Sequence, residues 1–271
     1  MPELPEVETA RRGIEPLLAG QTINRVHIRQ AKLRWPVPRS LCTKLPGAQV
    51  VGVRRRAKYL LIDTSPGTVL VHLGMSGSLA VVPVDTPYRP HDRVALDLAN
   101  GQSLRLHDPR RFGAVLWAGH HPDEHALLKD IGPEPLSEAF NADYLYRQSR
   151  KRKRALREFL LDGHIVAGIG NIYANEALFL AGIRPTRPAG RLTRAETEKL
   201  VATAKSVLKA AIRKGGTTLR DFHQADGQPG YFQQTLHVYG REGQACPNCG
   251  QAIQRLMRSN RSLFYCRRCQ N

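Results

Sequence analysis

Four cysteines close the chain, Cys246, Cys249, Cys266 and Cys269, in the spacing Cys-x2-Cys-x16-Cys-x2-Cys. In a reducing compartment such clustering points to a metal before disulfides, and the spacing falls inside the range of four-thiolate zinc sites. Each pair forms a turn that offers two thiolates to one tetrahedral Zn2+, and a hairpin this small cannot do without the metal. The last residues are therefore expected to form a β-hairpin held by one structural zinc per chain. Between the pairs, "RLMRSNRSLF" presents Arg255, Arg258 and Arg261, a set suited to phosphate. Cys42 stands alone and reads as an ordinary thiol.

Charge narrows the partner. The 271 residues carry 41 Lys+Arg against 23 Asp+Glu, a formal net charge of +18. Such an excess favours a polyanion, and nucleic acid comes before membrane because no basic amphipathic helix with a broad aromatic face stands out. Ribosomal and chromatin proteins share this balance, so charge alone does not define an enzyme. No run of eighteen apolar residues occurs, and the N-terminus has acids where a signal peptide needs a basic start. A soluble, cytosolic monomer is expected.

The pattern of elements predicts an α+β chain of two domains. Val7, Ala10, Ile14, Leu17 and Leu18 recur at helical steps between Pro5 and Gly20. Short β-type runs follow at 22–28, 50–63, 68–74 and 78–83, and 93–108 turns on Asn100-Gly101, a strong hairpin signal. This spacing argues for an antiparallel sandwich with an N-terminal helix over 1–132. The prolines of 133–140 suggest a linker, and 141–235 reads as helical, with Thr193 and Glu196 forming a capping box and Gly215-Gly216 a stop. Residues 215–232 read as a long functional loop, and 236–271 as the zinc finger.

Two further segments carry a phosphate signature. "RQSRKRKRALREF" (147–159) is a dense run of cations, which by itself is as often a solvated face as a binding one. "LLDGHIVAGIGNIYANEALFLAGI" (160–183) reads as two helical pieces flanking a turn with Gly163, Gly168 and Gly170, with Asn171 starting the second. Glycines there let backbone N–H groups approach an anion at a helix N-terminus.

The opening "MPELPEVE" is the chemical question. Met before a small residue is normally trimmed, leaving Pro2 with a free secondary amine. Attack of that amine on an anomeric carbon gives an iminium that is cationic without protonation. An α-amino group, with a reference pKa near 8, is also easier to hold unprotonated than a lysine. Helix-dipole complementation explains Glu6 and Glu8. Glu3, which precedes the helix, is placed to move the proton that sugar-ring opening requires.

Taken together, "PELPEVE", "RRAKYL", "HLGMSGSL", "HDPRRFG", "GIGNIYANEALF", "GGTTLRDF", "YGREG" and the closing finger resemble bacterial formamidopyrimidine-DNA glycosylase, also called 8-oxoguanine DNA glycosylase, in order and over nearly the whole chain. The resemblance implies a helix-two-turn-helix domain and a bifunctional enzyme acting on oxidised purines or abasic sites in double-stranded DNA. It implies Pro2 as nucleophile, Glu3 as proton donor, Lys58 as a strand lysine assisting elimination, and Arg261 as a phosphate clamp used in the second elimination. His91, Arg110, Arg152 and Asn171 correspond to DNA contacts. Solvated surface residues are the plain alternative for Lys58 and Arg152.

A non-catalytic zinc-finger DNA-binding protein would use the charge and the finger but has no use for Pro2, Glu3 and Lys58. The related endonuclease VIII branch, acting on oxidised pyrimidines, has Gly where this chain has Leu4. Met75 and the Arg110/Phe112 pair, with Arg111 turned away on one strand, are candidates to fill the hole left by an extruded nucleotide. Burial of Met75 and Phe112 in the core is the alternative.

Overall fold

A computed structural model describes residues 2–215 and 236–271; most of the expected 215–232 loop lies outside them. The fold is α+β, and the chain separates into two compact units, one built on the residues up to Asp130 and the other starting at Ile131.

The first unit comprises α1 (Leu4–Leu18), β1 (Ile23–Ile28), α2 (Leu41–Lys44), β2 (Val50–Arg56), β3 (Tyr59–Thr64), β4 (Gly67–His72), β5 (Ser78–Pro83), β6 (Asp92–Leu98), β7 (Gln102–His107) and β8 (Ala114–Gly119). The strands form two four-stranded antiparallel sheets, ordered β1-β6-β7-β5 and β2-β3-β4-β8. Ile62, Val69 and Val71 of one sheet and Val94, Leu96 and Leu104 of the other share a single buried cluster. Val7, Ala10, Ile14 and Leu18, one stripe of α1, join that cluster, so the helix that begins just after Pro2 is anchored in the sandwich.

Two features of this sheet pair differ from the sequence expectation. The run 50–63 is two strands, with Arg56 paired to Tyr59 across the two-residue turn Ala57-Lys58. No Gly, Asn or Pro marks that turn, and Ala57 itself takes the left-handed conformation at φ +53°. Lys58 is thus a turn residue and not a strand residue. The strand β8, "AVLWAG", was not expected; it lacks alternating polar positions and pairs along β4. The hairpin at Asn100-Gly101 forms as read, with Gly101 at φ +80°.

The second unit comprises α3 (Ala142–Ser149), α4 (Leu156–Leu160), α5 (Asn171–Ala181), α6 (Arg194–Arg213), β9 (Gln254–Arg258) and β10 (Arg261–Tyr265). The first helical piece before Asn171 lies earlier than expected: Leu160 ends α4, and 161–170 is turn and loop, with Gly168 at φ +74°. α5 is apolar nearly all round and packs against α6 and β10. α6 is opened by the reciprocal Thr193/Glu196 cap, at 2.9 Å from the Thr193 N–H and 3.2 Å from the Glu196 N–H. β9 and β10 turn on Ser259-Asn260, at φ +49° and +56°, as a tight hairpin turn with two left-handed residues requires. Among the described residues no helix is long and apolar enough to cross a membrane.

Candidate active site and nucleic-acid interface

In the first unit, Pro2 is buried directly ahead of α1. Glu3 is the N-cap and only 2% exposed; its N–H donates to Glu6 Oε2 at 2.8 Å while its own side chain faces the Glu6 N–H, a reciprocal capping box. The pair therefore sits at the positive end of a helix, with the Glu3 carboxyl kept from bulk water. Glu8 is structural. Burial raises its carboxyl pKa, but hydrogen bonds and charge from Arg11, Arg12 and Arg55 outweigh burial and leave it lowered.

Lys58 is half-buried in its turn. Burial first, then the charges of Lys58 and Arg34, push His72 down to about 4. His72 Nδ1 accepts the Gly74 N–H at 2.9 Å, so the neutral ring carries its proton on Nε2. The sequence reading missed His72, although it opens the motif "HLGMSGSL".

Two further turns carry exposed apolar side chains. Met75 is 40% and Phe112 43% exposed, so neither is a core residue. Arg110, Arg111 and Phe112 lie in the turn between β7 and β8 and not on a strand, so strand alternation does not place them. The turn itself brings the Arg110 guanidinium over the Phe112 ring, 5.1 Å from its centroid. His91 is exposed at φ +77°, its Nδ1 accepting from Arg93 Nη2 at 2.9 Å.

In the second unit, Asn171 begins α5 with its carboxamide already engaged. Oδ1 accepts from Arg157 Nη1 at 2.7 Å, and Nδ2 donates to the Ser262 carbonyl at 2.8 Å. Arg157 is 0% exposed, so the cations of 147–159 do not all share one exposed face. Its Nη2 also binds Glu158 Oε1 at 2.7 Å and the Arg258 carbonyl at 2.9 Å. Arg152 is exposed in the loop after α3. Arg261 opens β10 and, with Arg154, Arg157, Glu158, Asp162 and Ser259, lines a cavity of about 330 Å³ in which cations outnumber acids. Nothing in the local sequence distinguishes Arg157 from its exposed neighbours.

The four cysteine sulfurs lie within 4.8 Å of one another, Cys246 to Cys269 at 3.8 Å and Cys249 to Cys266 at 3.4 Å. Tetrahedral zinc with Zn–S near 2.3 Å spaces its sulfurs by about 3.8 Å, so the residues fit the ion. With four thiolates as ligands the site has no open position for substrate, as in structural zinc sites.

A β-sandwich with cationic turns, a helix pair and a four-thiolate finger define a nucleic-acid-binding zinc protein. Comparison with known proteins makes this specific. Family models match in order: the formamidopyrimidine-DNA glycosylase N-terminal domain over 1–115, the formamidopyrimidine-DNA glycosylase H2TH domain over 131–223, and the zinc finger found in FPG and IleRS over 243–271. The formamidopyrimidine-DNA glycosylase of Hydrogenovibrio crunogenus is 55% identical, over 100% of this chain and 96% of its own. The crystal structure of the MutM (Fpg) protein of Thermus thermophilus is 41% identical with a TM-score of 0.89, covering 99% of this chain and 98% of that one. The Lactococcus lactis Fpg has been solved with DNA containing N7-benzyl-Fapy-dG (33% identity) and with abasic-site DNA (32%), each with a TM-score of 0.92 and full coverage of both chains. The chain belongs to the formamidopyrimidine-DNA glycosylase family.

Proposed function

We infer that the protein is a base-excision-repair DNA glycosylase and abasic-site lyase that removes 8-oxoguanine and formamidopyrimidines from duplex DNA in the cytoplasm. The observation that carries this reading is the buried Pro2–Glu3 pair at the capped, positive end of α1, in a chain matched over its whole length by enzymes of that name.

A base within the stack is out of reach, so the oxidised nucleotide is first extruded. Met75 and Phe112 enter the vacated space, and Arg110 offers its donors to the orphaned cytosine; their exposure in two turns supports this assignment. The Pro2 amine, freed by removal of Met1, attacks C1′ as the bond from C1′ to the base nitrogen breaks, and the base leaves with a proton. Glu3 protonates the deoxyribose ring oxygen, which opens the ring and leaves an iminium between Pro2 and C1′. Loss of a C2′ proton then expels the 3′ phosphate, and a second elimination expels the 5′ phosphate. Lys58 assists the first elimination. Arg261, in its cationic cavity, holds a phosphate and assists the second. His91, Arg152 and Asn171 position the backbone. When bound, zinc supplies only the folding of the finger.

The test is the excision rate from duplexes carrying 8-oxoguanine opposite cytosine against the rate on thymine glycol. Faster release of 8-oxoguanine is expected. A reversed preference would make the protein an oxidised-pyrimidine enzyme, and binding with no excision of either would make it a non-catalytic DNA-binding protein.

A further inference from the structure

The turn that carries Arg110 and Phe112 is built around a carboxylate that the chemistry above does not use. Asp108 is 0% exposed. Its Oδ1 accepts the Arg111 N–H at 3.0 Å and its Oδ2 the Gly113 N–H at 2.8 Å. Its backbone is tied as well, the N–H to the His91 carbonyl and the carbonyl to Arg93 Nε, both at 2.9 Å. Between these anchors Arg111 is held left-handed at φ +59°, a conformation unfavourable for a residue with a side chain. A charged acceptor bonded to the backbone on both sides of a strained residue is a means of keeping one turn shape.

The second turn leans directly on the first. A Cβ on Gly74 would fall 2.5 Å from the Phe112 carbonyl carbon and 2.6 Å from the Gly113 nitrogen. A Cβ on Gly113 would fall 2.9 Å from both Asp108 Oδ2 and the His72 carbonyl oxygen. The two turns meet backbone to backbone with no side chain between them. Met75, one residue beyond Gly74, is therefore carried by backbone packed directly against that of Phe112.

We propose that Asp108 is a positioning residue that locks the Met75 turn and the Arg110/Phe112 turn into one rigid wedge, so that filling the helix and reading the opposite base happen as a single event. This rests on the wedge role given above to Met75, Arg110 and Phe112. An unlocked turn would have to be ordered during extrusion, which slows base release from paired DNA. A preformed abasic site asks less of the wedge, because less stacking has to be broken.

The test is Asp108→Asn, which keeps the shape but turns an amide donor toward one of the two N–H groups. Single-turnover excision of 8-oxoguanine from duplex should fall by about ten- to a hundred-fold, the factor corresponding to one hydrogen bond to a charged group. Strand cleavage at a preformed abasic site should keep its rate. Gly74→Ala, which presses on Phe112 from the other turn, should give the same split. Because Asp108 also holds the turns of Met75 and Arg110, Asp108→Asn combined with Phe112→Ala should cost less than the product of the two single losses.

If Phe112→Ala leaves duplex excision unchanged, the wedge reading itself fails. If Phe112→Ala slows excision but Asp108→Asn does not, or the two losses multiply, the wedge stands and the locking role of Asp108 is wrong. Equal losses on both substrates with a matching fall in Tm would make Asp108 a general structural residue and also overturn the proposal.

Discussion

Arg157 donates from Nη1 to Asn171 Oδ1 at 2.7 Å, and the same guanidinium reaches the Arg258 carbonyl at 2.9 Å. Arginine only donates and the Ser262 carbonyl only accepts, so the orientation of the Asn171 carboxamide between them is determined. Asn175 extends the network, donating to the Asn171 carbonyl at 2.6 Å and accepting from the Phe264 N–H at 2.8 Å. The start of α5 and the hairpin that carries Arg261 are thereby one hydrogen-bonded body.

Replacing Arg157 by Met keeps the length but removes the short bonds to Asn171 Oδ1, the Arg258 carbonyl and Glu158 Oε1, leaving Asn171 Oδ1 only Asn175 Nδ2 at 3.4 Å and Glu158 only Arg258 Nε at 3.7 Å. Removing one partner of a buried charge pair costs about 3–5 kcal/mol, so Arg157→Met should lower Tm clearly and weaken binding to an abasic-analogue duplex. Arg157→Lys keeps the charge without the fork and should fall between. Thermal denaturation with a binding titration checks this; an unchanged Tm would show that the network contributes little.

A second prediction concerns pH. Glu176 is buried on α5 and accepts from the N–H groups of His237, Val238 and Tyr239 and from His237 Nδ1, at 2.8 to 3.0 Å. Burial pushes its carboxyl up, but these bonds outweigh burial and hold it below its ordinary 4.5. The bond to Glu176 raises His237 above 6.5, against burial and Arg241. The carboxylate's contribution is present above 4.5 and lost as pH falls through its lowered value. The imidazolium's is present below 6.5 and lost as pH rises through its raised value. This clamp should be strongest between those two ordinary values, and Glu176→Gln should flatten both limbs of a Tm-against-pH curve; identical curves for the two proteins would refute it.

The finger supplies a third. One zinc per chain is expected by metal analysis, and Cys249→Ser should lose zinc and DNA affinity while the sandwich stays folded, since metal binding and folding of such a module are one equilibrium. Arg261→Ala should keep zinc but reduce the slope of log affinity against log salt by roughly one unit, as loss of one phosphate contact does. An unchanged slope would place Arg261 off the DNA.

What could be read in the sequence was local. The Asn100-Gly101 hairpin, the Thr193/Glu196 cap and the cysteine spacing each follow from chemistry within a few residues. The Ala57-Lys58 turn was hidden because Ala57 adopts a positive φ through pairing of its flanking strands and not through its own preference. Arg157 looked like its neighbours because its partners lie 14 and 101 residues away. Asp108 and His72 carry no local mark for a related reason: their contacts are to backbone groups that only the folded turns bring to them. Pro2 and Glu3 stand out in the sequence by their chemistry, a terminal secondary amine beside a carboxyl, and their proposed role awaits the trapping of the adduct.

The central claim is that Pro2 forms the covalent intermediate. Borohydride reduction of the protein mixed with an 8-oxoguanine duplex, followed by mass spectrometry of the N-terminal peptide, tests it directly. A reduced adduct joining the Pro2 nitrogen to C1′ is predicted, absent from Pro2→Gly and from protein that retains Met1. An adduct on a lysine, or normal strand cleavage by protein with Met1 intact, would contradict it.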